Sequence, residues 1–475
     1  MYSTRVPMSR RLSVPDISNV ITRVVSLCVK VLTFALIFCT TFFSLGTIVD
    51  ATAAAQTPAQ LRVVHFDLDP LFSPGDSPAQ VTTNINMLVQ RVSALSAPGI
   101  DLVVYLSAFS NPDATQKSYD HVFFPSAHLN ERAGTLLFDD AELPTGQLLA
   151  RTARAIKQVA SNVQIYAWMP TLNFRLVPTS FYYTRSLNSY IQSDLAQERN
   201  DPNRYARLSP FVGATWDIVA QIYRELGWAA GNYIDGIVFH DDGMISDHED
   251  ASVAATRFLT SYDWRALADG DARNWSQLNA TERGIRKSRY LNQFTLYMAA
   301  QTQNALNDKF GLNKTLRTAR HVYSTAFSNR DAVQWLAQEP VSLLQDYDYV
   351  LIEAYPYLEA RNDPTNPLAA ATFCGVSFVK GCKVFKTGPY FAELFSAVTG
   401  YPEGLNKVVF IMQTVDWNTH TGAVTDLTSN RIGDDMMTLF QQGAQHFGWY
   451  PDRYFSGAEH PDIKGNFNDA LFARH

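Results

Sequence analysis

Ile234-Asp235-Gly236-Ile237-Val238-Phe239-His240-Asp241-Asp242 decides how this chain is read. A short β-branched and aromatic run ends in three ionisable residues, as a buried strand of a parallel sheet does where it meets the surface. Side chains alternate along a strand, so Ile237 and Phe239 share one face and Gly236, Val238, His240 and Asp242 the other. If the apolar pair faces a helix, Asp242 is the inward acid. Alternation breaks at strand tips, so Asp241 stays a candidate, its structural alternative being to orient His240 or cap a turn.

Seven similar runs lie along the chain: Leu61–Asp69, Asp101–Phe109, Val163–Pro170, Thr315–Ser324, Tyr347–Glu359, Lys407–Trp417 and His446–Tyr454. Helical patterns separate most of them. The clearest is Val81, Ile85, Leu88, Val92 and Leu95, a stripe that puts one helix face on a sheet. Others cover Gln147–Ala160, Ala214–Leu226, Ser288–Leu306 and Arg431–Gln442, and Ser209-Pro210 reads as an N-cap and first turn. Eight alternating βα units predict an α/β fold of the (β/α)8 TIM-barrel type over residues 61–475. The segments Asn111–Asp140, Asn173–Arg207, Gly243–Arg286 and Arg361–Lys386 are long, and loops after barrel strands build a ligand groove.

The N-terminus differs in kind. Arg5, Arg10, Arg11, Arg23 and Lys30 lie in a basic segment, 1–30, before the uncharged run 31–49. The run exceeds the roughly 7–15 residues of a secretory apolar core and reaches the roughly 17–25 that span a bilayer. Length favours a transmembrane anchor, while the small residues Ala51 to Ala55 leave a cleaved signal peptide open. Residues 50–60 read as a linker. Either outcome puts the domain outside the cytoplasm, in the periplasm or extracellular space. The segment through Val49 holds five basic residues against Asp16, so the chain beyond it carries −10 rather than the overall −6. That charge argues against a nucleic-acid partner and suits a neutral or cationic ligand. Cys374 and Cys382 are close enough in sequence for one bridge in an oxidising compartment.

The strand ends carry the chemistry. His65, Asp67 and Asp69 alternate against Val64, Phe66 and Leu68; Glu353, Tyr355, Tyr357 and Glu359 alternate against Ile352, Ala354 and Leu358. An unpaired buried carboxylate costs several kcal/mol or shifts its pKa, so acids converging on one mouth point to binding or catalysis. Tyr105, Trp168, Tyr355, Tyr357 and Trp417 are candidates for stacking on sugar rings, with core filling as the alternative. Arg207, before a helix, has no structural explanation in the sequence. Paired carboxyls and aromatics suit glycoside hydrolysis. The sequence lacks His-Glu-x-x-His, Cys-x-x-Cys, Gly-x-Ser-x-Gly and nucleotide-binding glycine motifs. No cofactor is expected, although Asp67, Asp69 and His240 could also form a mixed metal site.

With Val64-His65-Phe66-Asp67-Leu68-Asp69, Tyr166-Ala167-Trp168-Met169-Pro170, Arg207-Leu208-Ser209-Pro210-Phe211, Thr318-Ala319-Arg320, Pro356-Tyr357-Leu358-Glu359 and Asp416-Trp417 in order around it, the central motif resembles the C-terminal hydrolase domain of PgaB-type proteins. These process exported poly-β-1,6-N-acetylglucosamine of biofilm matrices. The resemblance implies an endo-acting glycosidase on partly deacetylated, cationic polymer, working beside exopolysaccharide synthesis or export machinery. It maps an acid onto Asp242, or else Asp241, with Glu359 as the second. Family proteins also carry a metal-dependent deacetylase domain before the barrel, and a short linker stands there in this sequence, so deacetylation is not carried over. Glu353 and the Cys374–Cys382 loop look unlike the family pattern. The rival readings are a non-catalytic polysaccharide carrier used in export and a metal-dependent N-deacetylase.

Overall fold

The computed structural model describes residues 60–73, 75–96, 101–110, 121–131, 147–176, 190–191, 194, 206–242, 253–262, 273–356, 387–417, 424–426 and 429–452. The chain divides into two units, residues 1–57 and 58–475, and every described residue belongs to the second. The expected targeting segment at 31–49 and the cysteines Cys374 and Cys382 lie outside the described residues. Among those described, no helix is long and apolar enough to cross a membrane.

Eight parallel strands close a barrel in chain order: β1 (Leu61–Phe66), β2 (Asp101–Ser107), β3 (Gln164–Met169), β4 (Gly236–Phe239), β5 (Arg317–Tyr323), β6 (Tyr349–Ala354), β7 (Val408–Gln413) and β8 (His446–Tyr450). β8 pairs back onto β1 with Val63 opposite Gly448, so no sheet edge is left. Each strand falls inside one of the eight runs read from sequence. Among the described residues each of the first seven strands is followed by a helix that returns the chain toward the next: α1 (Pro78–Leu95), α2 (Leu148–Val159), α3 (Gly213–Ala230), α4 (Ala280–Phe310), α5 (Pro340–Asp346), α6 (Thr387–Thr399) and α7 (Ser429–Gln442), with further helices such as Val253–Ser261 between some of them.

The apolar stripe of α1 is buried as its spacing requires, and Val89 joins it. Burying each such side chain stabilises the domain by about 1.5–3 kcal/mol. Ser77 caps the helix by accepting from the Gln80 amide at 3.2 Å, with Pro78 at the first position.

Two sequence expectations need correction. α4 runs well beyond Ser288–Leu306, because Asn279 and Glu282 form a reciprocal capping box with both bonds at 2.9 Å, and Gly311 ends the helix at φ +63°. α3 starts at Gly213, not Pro210. Ser209 does not cap it but turns inward: its hydroxyl accepts from the Phe211 amide at 3.3 Å and its carbonyl from Val212 at 3.3 Å.

Contacts between non-neighbouring strands define the interior. The His65 ring on β1 lies 4.8 Å from His321 on β5 and 5.4 Å from Trp168 on β3. The opposite parity faces the helices: Phe239 stacks on Tyr223 of α3 at 5.9 Å, and Arg320 donates to the Tyr347 hydroxyl at 3.3 Å. Two glycines make room for large inward side chains. A Cβ on Gly236 would meet the Tyr166 ring at 2.9 Å, and one on Gly448 would meet Ile411 at 2.6 Å.

Several strands stop earlier than their runs. β4 ends at Phe239, leaving His240, Asp241 and Asp242 beyond the strand. The Lys407–Trp417 run splits: after Gln413 the chain leaves the barrel, and Val415–Trp417 pairs antiparallel with Val424–Asp426.

Candidate active site

The barrel interior places His240, Trp168, His321, Glu353 and Tyr323 at the C-terminal ends of β3 to β6, where barrel enzymes carry their chemistry. The His240 ring stacks on Trp168 at 5.1 Å and meets Phe109 edge-on at 5.7 Å. Its Nδ1 is 2.6 Å from Asp241 Oδ1 and 3.5 Å from Asp242 Oδ1. Burial alone would lower the imidazole pKa. The charge and hydrogen bond of Asp241, reinforced by Asp242, win and raise it to about 10. Burial would likewise raise the Asp241 carboxyl, yet the His240 charge and hydrogen bonds from His240 and Tyr323 hold it well below the usual carboxylate range. The two form an ionised pair holding one proton across a short hydrogen bond.

The neighbouring acids do different work. Asp242 is buried, and its oxygens accept the amides of Thr171 at 2.8 Å, Leu172 at 2.9 Å and Asn173 at 2.6 Å. Thr171 also donates through its hydroxyl to the His240 carbonyl at 2.9 Å, and the His240 amide continues the ladder to Met169 at 2.9 Å. Asp242 thereby clamps the segment after β3 to the segment after β4. Asp241 faces the mouth, its side chain 15% exposed against 1% for Asp242.

His321 is buried and neutral at physiological pH. Burial drives its pKa to about 3, the nearby Asp241 charge opposing and the His240 charge adding to the fall. Its Nδ1 stands 3.6 Å from Glu353 Oε1, a close approach of a neutral ring to a carboxyl group. His65 is depressed in the same way by burial, then by His321 and His240.

The remaining candidates sort by burial. Tyr105 is fully buried and stacked on Tyr166 at 5.4 Å, so it fills the barrel and offers no face to a ligand. Arg207 is also enclosed, its Nε 3.1 Å from Asp194 Oδ2, which supplies the structural reason absent from the sequence. Trp168 and Tyr355 are buried at the mouth with slight exposure, as is Glu353 at 8%. Asp67 and Asp69 are half-buried at the end of β1, and Asp69 accepts from the Ser110 hydroxyl at 2.5 Å. Tyr357 and Glu359 lie outside the described residues, as does the side chain of Trp417. Among the described residues no three His, Cys, Asp or Glu side chains converge to hold a metal ion.

Two participants escaped the sequence reading. His321 and Tyr323 share the inward parity of β5, alternating with outward Arg320 and Val322, and the alternation argument used on the other strands would have found them.

The buried imidazoles set an acid-stability limit. His65, His321 and His446 are lowered in the folded state, the last to about 4, so the unfolded chain binds more protons once pH falls below about 6.5. Stability should drop on the acid side by about 1.4 kcal/mol per pH unit for each histidine. His240 acts oppositely: its contribution is complete below about pH 6.5 and is lost as pH rises through about 10. The Asp241 contribution is complete above about pH 4 and is lost further into acid. Denaturant midpoints at pH 7 and pH 5 test the acid flank; equal midpoints would show that these histidines are not held neutral.

Comparison with known proteins places this geometry. The family described as hypothetical glycosyl hydrolase family 13 matches residues 65–373. The poly-beta-1,6-N-acetyl-D-glucosamine N-deacetylase of Escherichia coli strain K12 is 26% identical over 422 residues, 88% of this chain and 54% of its own length. The protein of the same description from Escherichia coli O157:H7 matches to the same extent. The chain spans about half the length of these curated relatives. Among solved structures, the PgaB (BpsB) glycoside hydrolase domain from Bordetella bronchiseptica is similar at TM-score 0.64 and 26% identity, over 86% of this chain and 98% of that one.

Proposed function

The chain belongs to the hypothetical glycosyl hydrolase family 13, and from that premise we propose that it is an endo-acting glycoside hydrolase of partly deacetylated poly-β-1,6-N-acetyl-D-glucosamine. The observation that carries the reading is the 2.6 Å Asp241–His240 pair at the barrel mouth beside Trp168. Glycoside cleavage needs a proton delivered to the leaving oxygen by a carboxyl group. The pair holds that proton on His240, with Asp241 ionised: as the leaving oxygen becomes basic, one proton moves from His240 Nδ1 to Asp241 and on to that oxygen, leaving the imidazole neutral and Asp241 again a carboxylate. We assign the acid role to Asp241 rather than Asp242, whose oxygens already accept three amide hydrogens.

The polymer is supported by the similarity to the PgaB (BpsB) domain and the curated deacetylases, and by the −10 charge of the chain beyond Val49, which suits a cationic glucosamine polymer. Endo action is supported by the long segments after the strands, which leave length for a groove. The basic segment and apolar run 31–49 support a place at the membrane with the barrel outside the cytoplasm, beside the machinery that exports the polymer.

Product size after incubating the purified chain with the partly deacetylated polymer tests the reading. Oligosaccharides of mixed length, formed early, are the expected result. Intact polymer that stays bound would mark a carrier, and acetate release without shortening would mark an N-deacetylase.

A further inference from the structure

The pair at Asp241 supplies a proton but leaves unanswered the positive charge that builds on the anomeric carbon. Glu353 lies on the inward parity of β6, with Tyr323 of β5 opposite it in register on one side and Ile411 of β7 on the other. The Tyr323 hydroxyl bonds to Asp241, so one tyrosine connects the position of the proton-handling acid with the strand that carries the second. His321, two residues before Tyr323 on the same strand, has Nδ1 3.6 Å from Glu353 Oε1. The Tyr355 ring, next inward on the chain after Glu353, feels both Glu353 and Asp241 electrostatically.

A second observation points to a ligand. His321 Nε2 and Trp168 Nε1 are buried at this mouth without a hydrogen-bond partner among the described residues, on side chains only 2% and 5% exposed. Leaving such atoms unpaired is costly, and a hydroxyl-bearing ligand would satisfy both.

We infer that Glu353 is a second catalytic carboxylate of this site, a fixed negative charge facing the anomeric carbon while Asp241 and His240 handle the proton. The inference rests on the hydrolase reading above. In the first step the bond between the anomeric carbon and the leaving oxygen breaks, its electron pair goes with the oxygen, and that oxygen takes the proton of the Asp241–His240 pair. The carbon, now electron-poor, is held against the Glu353 carboxylate. Water then adds through its oxygen to the carbon and returns a proton to the pair. Glu353 neither gains nor loses a proton, and one water is consumed per bond cut.

Glu353→Gln keeps the size and removes the charge. With the partly deacetylated polymer as substrate, kcat should fall by about 100- to 1,000-fold, the cost of losing one electrostatic contact to the transition state, while KM stays nearly constant. Glu353→Asp, which keeps the charge on a shorter arm, should recover part of the rate. Unchanged kcat in Glu353→Gln would overturn the inference, as would a loss confined to KM or a Glu353→Asp no faster than Glu353→Gln. These outcomes need a wild-type chain that shortens the polymer; if the wild type leaves it intact, the hydrolase reading itself falls.

Discussion

Asp241→Asn is expected to reduce polymer shortening by about 1,000-fold, within the range of 100- to 10,000-fold that a positioned general acid contributes, while the barrel stays folded. The amide has nearly the same shape and its oxygen still accepts from His240 Nδ1, now 2.6 Å from Asp241 Oδ1, so geometry survives and acidity does not. A second change accompanies the first. The Asp241 charge and hydrogen bond are the largest influences opposing burial at His240, so without them the imidazole pKa falls from about 10 and the ring becomes neutral at pH 7. Titration of His240 by NMR in both proteins reads this directly. An Asp241→Asn protein that still cuts polymer, with His240 neutralised, would show that the pair is structural and that the proton comes from elsewhere.

Most of this scaffold was legible in the sequence, because the two periodicities that define it are local. Each of the eight runs contains one barrel strand. Alternation put His65, His240 and Glu353 on the inward face, where ring contacts and the His321 approach place them. The start of α4 was missed because periodicity alone began it at Ser288; Asn279-x-x-Glu282, the spacing of a capping box, was the overlooked signal.

What failed was non-local. Alternation cannot choose between Asp241 and Asp242 because β4 ends at Phe239, two residues short. What separates the two acids is the backbone that follows β3, about seventy positions earlier, which offers three amides to one of them. Tyr105 reads like Trp168 in sequence, yet it sits a layer deeper under His65, whose ring is 4.5 Å away. The role of Arg207 depends on Asp194, a partner that no spacing rule identifies.

Asp242→Ala should therefore act through stability before it acts through chemistry. The substitution removes the acceptor of three backbone amides, those of Thr171, Leu172 and Asn173, in a buried site. A buried donor left unpaired costs about 1–3 kcal/mol; with water entering the vacated space to satisfy some of them, the net loss should be about 3–5 kcal/mol. The amides of Thr171 to Asn173 should exchange with solvent faster than those of β3, and melting should move down by several degrees. Activity should fall too, because the clamp joins the segment after β3 to the one that carries His240 and Asp241, and a misplaced acid is a slow one. The order of effects is what discriminates. If Asp242→Ala melts like wild type, keeps the slow exchange of Thr171 to Asn173 and yet cuts no polymer, Asp242 is the acid and Asp241 its neighbour. If stability and exchange fail first, with residual cutting at low temperature, Asp242 is the clamp that holds Asp241 in place.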